Sequence, residues 1–144
     1  MREQRNRDTA VRVYEAFNRR DFDAMRDHLA DGAVVHAVPA ELGLGQSPDA
    51  FVEVARMYVA AFPDIRMDVL EVVADGDRVA VRVRATGSHQ GEFMGIPASG
   101  RRVELETLEF ARFNSEGECV ERWGYEDNLQ LLQQIAAVDD RPGL

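Results

Sequence analysis

Along the first third of the chain, apolar residues recur every three or four positions. Val11, Tyr14 and Phe17, with Val13 beside them, form such a stripe and predict a helix over residues 8–18. Asp21 is placed to cap a second, short helix with Phe22, Met25 and Leu29 on one side. Residues 33–38 then predict a short buried strand, interrupted by the polar His36. Ser47 followed by Pro48 has the order of a helix start, cap and then proline at the first helical position. Phe51, Val54, Ala55, Tyr58 and Phe62 continue that helix, and Pro63 stops it.

From Arg66 the period changes to two. Met67, Val69 and Glu71 alternate with Asp68, Leu70 and Val72, and residues 74–77 make a hairpin turn. Val79, Val81, Val83 and Ala85 face one way, while Arg78, Arg82 and Arg84 face the other. A Gly- and Pro-containing connection over 87–100 leads into a long strand over 101–113, a turn at 114–117 and a last strand to about 125. A helix over 127–137, with Leu129, Leu132 and Ile135 on one face, closes the pattern. Helices first and a meander after them predict an α+β domain. We expect a conical, curved antiparallel sheet with helices on its concave face, whose open mouth is a natural ligand pocket. One domain over 1–144 accounts for the chain, with its core over about 8–137 and a short tail at 138–144.

Composition narrows the chemistry. All 17 cations are arginine. Without lysine there is no Schiff-base route and no phosphate-loop lysine. The single cysteine, Cys119, excludes an internal disulfide framework and a cysteine-rich zinc site. A net charge of −9 argues against nucleic acid and anionic lipid as partners. No stretch approaches about 18 continuous apolar residues, and the charged N-terminus lacks the apolar segment of a secretory signal, so the cytoplasm is the expected compartment.

The segment His89-Gln90-Gly91-Glu92-Phe93-Met94-Gly95-Ile96-Pro97-Ala98-Ser99-Gly100-Arg101 resembles the strand-joining signature of SnoaL-like polyketide cyclases, also called ester cyclases, of the nuclear-transport-factor-2-like superfamily. Tyr14-Glu15-Ala16-Phe17-Asn18 with Asp21-Phe22, Ala61-Phe62-Pro63-Asp64, and Glu121 and Trp123 with Asp127 agree with it in order and spacing. The resemblance spans nearly the whole chain. It implies a conical α+β barrel, a homodimer or larger homo-oligomer, and a cofactor-free acid/base enzyme of secondary metabolism. The superfamily also holds isomerases, dehydratases, epoxide hydrolases and proteins without known catalysis, so activity must be argued from the site.

Glu109 is the most informative residue. Val103, Leu105, Thr107, Ala111 and Phe113 share its side of the strand, and a carboxyl in such a row is costly unless paired or protonated. Burial would raise its pKa and suit it to proton transfer; the alternatives are a salt bridge to Arg82 or Arg84, or a register shift that leaves it in water, which Leu108 and Phe110 on the other side keep open. The resemblance places a histidine of the family's pocket at this position, which here is Glu109. It places the family's acid/base aspartate at Gly124, with Asp127 one turn later. Asp127, followed by Gln130, also fits a helix cap. His36 is a candidate to orient a substrate oxygen or shuttle a proton, the alternative being a core histidine bonded to a carbonyl. His89 is placed to line the pocket mouth, and His28 to put a positive charge near a helix C-terminus. Tyr14, Phe17, Tyr58 and Trp123 are candidates to contact substrate.

The three histidines show no ligand spacing, so we expect no metal and no cofactor. The resulting expectation is an aldol cyclisation of a small hydrophobic polycarbonyl substrate, with Glu109 as base, His36 as acid or orienter and Asp127 in reserve. Two alternatives stay open: epoxide opening or hydration assisted by Arg82, and a non-catalytic binding or oligomerisation domain. Leu108 and Phe110 on the other sheet face point to a homodimer.

Overall fold

The structure, a computed structural model, describes residues 1–135. The expected end of the last helix at 136–137 and the tail at 138–144 lie outside the described residues. The elements run α1 (Arg2–Asn18), α2 (Phe22–Asp27), β1 (Leu29–Val35), α3 (Pro48–Ala61), β2 (Arg66–Asp75), β3 (Arg78–Ser88), β4 (Arg102–Phe113), β5 (Cys119–Glu126) and α4 (Asn128–Gln134). The fold is α+β, and its five strands form one curved, unclosed sheet in the order β1-β5-β4-β3-β2.

Three helix starts follow their sequence signals. Asp21, Ser47 and Asp127 each accept a hydrogen bond from a backbone N–H three residues on. Helix α1 begins one and a half turns earlier than its apolar stripe predicts. Its extension is anchored by Arg7, whose guanidinium donates to the Val72 carbonyl oxygen at 3.0 Å, and by Asn6, which is fully buried.

One pairing corrects the all-antiparallel expectation. Strand β1 runs parallel to β5, whereas β2, β3, β4 and β5 pair antiparallel in turn. Alternation reports which face a residue occupies but carries no strand direction. A parallel partner far along the chain is therefore invisible to it.

Val79, Val81 and Val83 of β3 and Val103, Leu105, Ala111 and Phe113 of β4 are buried on the inner face, against which α1 and α3 pack. The valines, Leu105 and Phe113 each contribute roughly 1.5–3 kcal/mol relative to exposure, and Ala111 less. On the outer face, Arg82 pairs with Glu71 and Glu106, and Arg84 with Glu104 and Glu106. These exposed pairs are worth only about 0.2–1 kcal/mol each, so burial of the inner face holds the sheet in register.

Two bulges break the strict alternation. In β2 the ladder shifts between Val69 and Glu71, so Val72 and Ala74 join Met67 and Val69 on the core side and Glu71 turns out to Arg82. In β5 it shifts between the Arg112↔Glu121 and Phe113↔Cys119 pairs, leaving Val120 as the extra residue. Cys119 and Arg122 are consequently both buried, and Trp123 points outward.

Candidate functional site

Between α1, α3 and the inner sheet face lies a cavity of about 140 Å³. Phe17, Met25, Phe51, Phe62, Ile65, Met67, Val103, Leu105 and Leu131 supply most of its wall, and Tyr14, Tyr58, Thr107, Glu109, Arg122 and Glu126 supply its polar groups. The volume is comparable to the roughly 150 Å³ apolar cavity that accommodates benzene.

Glu109 reaches this cavity from the middle of β4, where it pairs with Gly124 of β5. A Cβ on residue 124 would stand 2.8 Å from Glu109 Oε2 and 3.0 Å from Ala37 Cβ. Glycine at 124 thus opens the space the carboxyl occupies. The Glu109 side chain is 18% exposed, and burial pushes its pKa above the ordinary carboxylate value. Arg122 opposes that rise, and Glu126 adds to it.

The cation beside Glu109 is Arg122, not Arg82 or Arg84. Arg122 Nη2 stands 3.5 Å from Glu109 Oε2 and donates to Tyr14 Oη at 3.2 Å. Nη1 lies 3.4 Å from His28 Nε2, and the guanidinium carbon sits 4.9 Å from the centre of the Phe51 ring. The Arg122 side chain is 4% exposed. An arginine has no acceptor, so Tyr14 Oη accepts from it and keeps its own hydrogen free for the cavity. Burial, with Glu109 nearby, pushes the Tyr14 pKa up and keeps that hydrogen in place.

His28 overturns the expected helix-end charge. Burial first, and the Arg122 charge second, push its pKa down to about 3. The ring is neutral: its Nδ1 meets the Met25 carbonyl oxygen, leaving Nε2 to accept from Arg122. At the other side of the cavity, Tyr58 Oη donates to Glu126 Oε1 at 2.7 Å.

Of the sequence candidates, Glu109, Tyr14, Phe17 and Tyr58 meet around this cavity. His36 does not. It follows Val34, which is 39% exposed, and its parity is opposite to that of the buried Ala33 and Val35. Its Nε2 lies 2.7 Å from Glu121 Oε2, and its ring stacks on Trp123 at 5.2 Å. Trp123 shares that outer surface with Phe110, so it does not line the cavity either.

His89 is fully buried beneath the 89–101 loop rather than at the mouth. Its Nδ1 accepts from the Ser99 N–H at 3.1 Å, and its ring packs on Phe62 at 5.5 Å. Gln90 and Gly91 donate their N–H groups to the Ala61 carbonyl oxygen, and a Cβ at Gly91 would overlap the carbonyl oxygen of Ala60. The signature loop therefore fastens the C-terminal end of α3. Asp127 caps α4 through the Gln130 N–H at 3.0 Å.

Arg122, Glu126 and the neutral role of His28 were missed from sequence. Arg122 sits beside Glu121 between Cys119-Val120 and Trp123, a pattern that does not single it out, and the bulge at Val120 hid its face. Among the described residues no three His, Cys, Asp or Glu side chains converge as metal ligands. No described helix is long and apolar enough to cross a membrane.

The family model described as SnoaL-like polyketide cyclase matches residues 8–135. The fold is similar to that of AclR, a candidate hydroxylase from Streptomyces galilaeus, at 29% identity and a TM-score of 0.84, covering 98% of this chain and 87% of that one. It is similar to IdmH, a candidate polyketide cyclase from Streptomyces antibioticus, at 34% identity and a TM-score of 0.78, covering 90% and 97%. A candidate SnoaL-like polyketide cyclase from Jannaschia shares the fold at 23% identity and a TM-score of 0.80, covering 95% of each chain. No curated protein sequence matches the chain.

Proposed function

The chain belongs to the SnoaL-like polyketide cyclase family, and from that premise we propose that it is a cofactor-independent acid/base enzyme with Glu109 as general base. Its reaction is an intramolecular aldol closure of a small hydrophobic polycarbonyl compound, met in the cytoplasm as part of secondary metabolism. The observation that supports this most is a carboxyl of raised pKa inside an apolar cavity, with one guanidinium at 3.5 Å.

Glu109 takes the proton from a carbon flanked by two carbonyls. The C–H electron pair passes into the enolate, whose carbon attacks a second carbonyl carbon. As the new C–C bond forms, that carbonyl's π pair moves to its oxygen. Tyr14 donates its free hydrogen bond to the developing oxyanion, with Arg122 holding the hydroxyl in place. The Glu109 carboxylic acid then returns the proton to the alkoxide, and no atom is gained or lost. Tyr14 takes the orienting role that the sequence assigned to His36. Asp127 is placed as a helix cap, with its carboxylate engaged by the Gln130 N–H.

Epoxide opening assisted by Arg82 lacks its geometry, because Arg82 lies on the outer face between Glu71 and Glu106. In solution we place the protein as a homodimer joined through that face, where Leu108 is 49% exposed.

The test is deuterium uptake from heavy water at the acidic methylene of a β-polyketone. Wild-type protein accelerates the exchange, and Glu109→Gln loses about 10²–10⁴ of that acceleration. An unchanged rate removes Glu109 from the mechanism, and a ligand recovered unaltered from purified protein, without exchange, favours a binding domain.

A further inference from the structure

His28 is the C-cap residue of α2, and both nitrogens of its ring are engaged. Nδ1 faces the Met25 carbonyl oxygen, which can only accept, so Nδ1 carries the hydrogen. Nε2 faces Arg122 Nη1 at 3.4 Å, and a guanidinium can only donate, so Nε2 presents a bare lone pair. The backbone is pinned as well. The His28 carbonyl oxygen accepts from the Cys119 N–H at 3.0 Å, three residues before Arg122 on β5. The ring also lies 6.0 Å from that of Phe51, whose face covers the same guanidinium. A ring held on so many sides is fixed in one orientation.

Behind this ring is a surface groove between α1, α2 and the turn before β5. Glu15, Asp27 and Glu118 line it, as do Arg12 and Arg19, and His28 forms part of its wall. Arg122 lines the cavity and not the groove, so the imidazole stands between the guanidinium and those three carboxylates. On the cavity side Arg122 faces Glu109 and Tyr14, with Tyr58 and Glu126 in the same wall. We propose that His28 is a positioning residue for the reaction, an uncharged acceptor that holds Nη1 of Arg122, aims Nη2 at Tyr14 and Glu109, and keeps the guanidinium's charge for the cavity rather than for the groove. The inference rests on Glu109 being the base and adds what sets its basicity. A carboxylate in place of the imidazole would hold Arg122 equally well, but would cancel the charge that favours the ionised form of Glu109.

The experiment follows the Glu109 carboxyl by carbon-13 NMR titration of the full, ligand-free chain, with Glu109→Gln identifying its signal. His28→Gln supplies a neutral acceptor of similar reach and leaves the midpoint at the wild-type value. His28→Glu has the shape of His28→Gln with a charge added, and raises the midpoint by about one pH unit. His28→Leu supplies no acceptor, lets the guanidinium turn toward the groove carboxylates, and raises the midpoint as well. Because the base must be ionised, a raised midpoint moves the acid limb of deuterium exchange to higher pH, about tenfold slower at a fixed pH on that limb.

Equal midpoints in His28→Gln and His28→Glu, or a His28→Gln midpoint displaced as far as that of His28→Leu, would overturn the proposal. A second measurement needs no variant. Nitrogen-15 spectra of wild-type protein show His28 as the neutral Nδ1–H tautomer between about pH 8 and pH 5. An Nε2–H tautomer, or a charged ring in that range, overturns the proposal too. Neither readout requires turnover. A wild-type protein that exchanges no deuterium refutes the reaction, while the Glu109 midpoints still judge His28.

Discussion

Arg122 organises the polar end of the cavity through partners that are mostly neutral. It meets one carboxylate, at 3.5 Å, and otherwise a tyrosine hydroxyl, a neutral imidazole and the face of Phe51. A buried guanidinium with so little compensation strengthens any interaction that brings negative charge to it. His28 belongs to this arrangement because it is uncharged, and its protonation has a predictable cost. Its pKa falls from 6.5 to about 3 on folding, so between those values the unfolded chain binds a proton that the folded protein does not. Stability therefore drops as pH falls through that window, by up to about 1.4 kcal/mol per pH unit from this group. His28→Gln, which keeps an acceptor for Arg122, is expected to flatten the acid limb relative to wild type between about pH 6 and pH 4 in chemical denaturation. Parallel curves would place the charge on His28 in both states.

Among the elements, β5 does most to decide what the cavity contains. The bulge at Val120 turns Arg122 and Gly124 inward and sends Trp123 to the outer face. Gly124 leaves room for the carboxyl arriving from β4, so the acid reaches the cavity from the neighbouring strand. Just beyond β5, Asp127 starts α4. Asp127→Asn retains the capping acceptor and should leave both turnover and unfolding temperature near wild type. Asp127→Ala should cost about 1 kcal/mol of stability with little loss of rate. A large fall in turnover for Asp127→Asn at unchanged stability would show a proton-transfer role instead.

At the scale of the molecule, the two sheet faces divide the work. The inner face buries the cavity, while the outer face carries the Arg82 and Arg84 pairs, the stacked His36 and Trp123, and the half-exposed Leu108. An aromatic and aliphatic surface framed by charges is suited to a second copy of the chain. Leu108→Glu is expected to shift sedimentation from dimer to monomer while the folded far-UV spectrum is kept. A wild-type protein that sediments as a monomer would remove the dimer. His36, expected at the chemistry, belongs by position to this outer surface.

Periodicity alone determined the α+β class, the positions of most elements, the three caps and the apolar row containing Glu109, because these depend on neighbours within a few residues. The short β1, read as residues 33–38, formed at Leu29–Val35, a boundary shift the local pattern does not resolve. The tertiary structure alone decided that β1 pairs parallel with β5, that bulges in β2 and β5 reverse the facing of later residues, and that Arg122 rather than Arg82 accompanies Glu109. Each of these depends on which strand lies alongside which and in what register. One extra residue in a ladder exchanges the two faces, and no local spacing in the sequence records on which strand it falls.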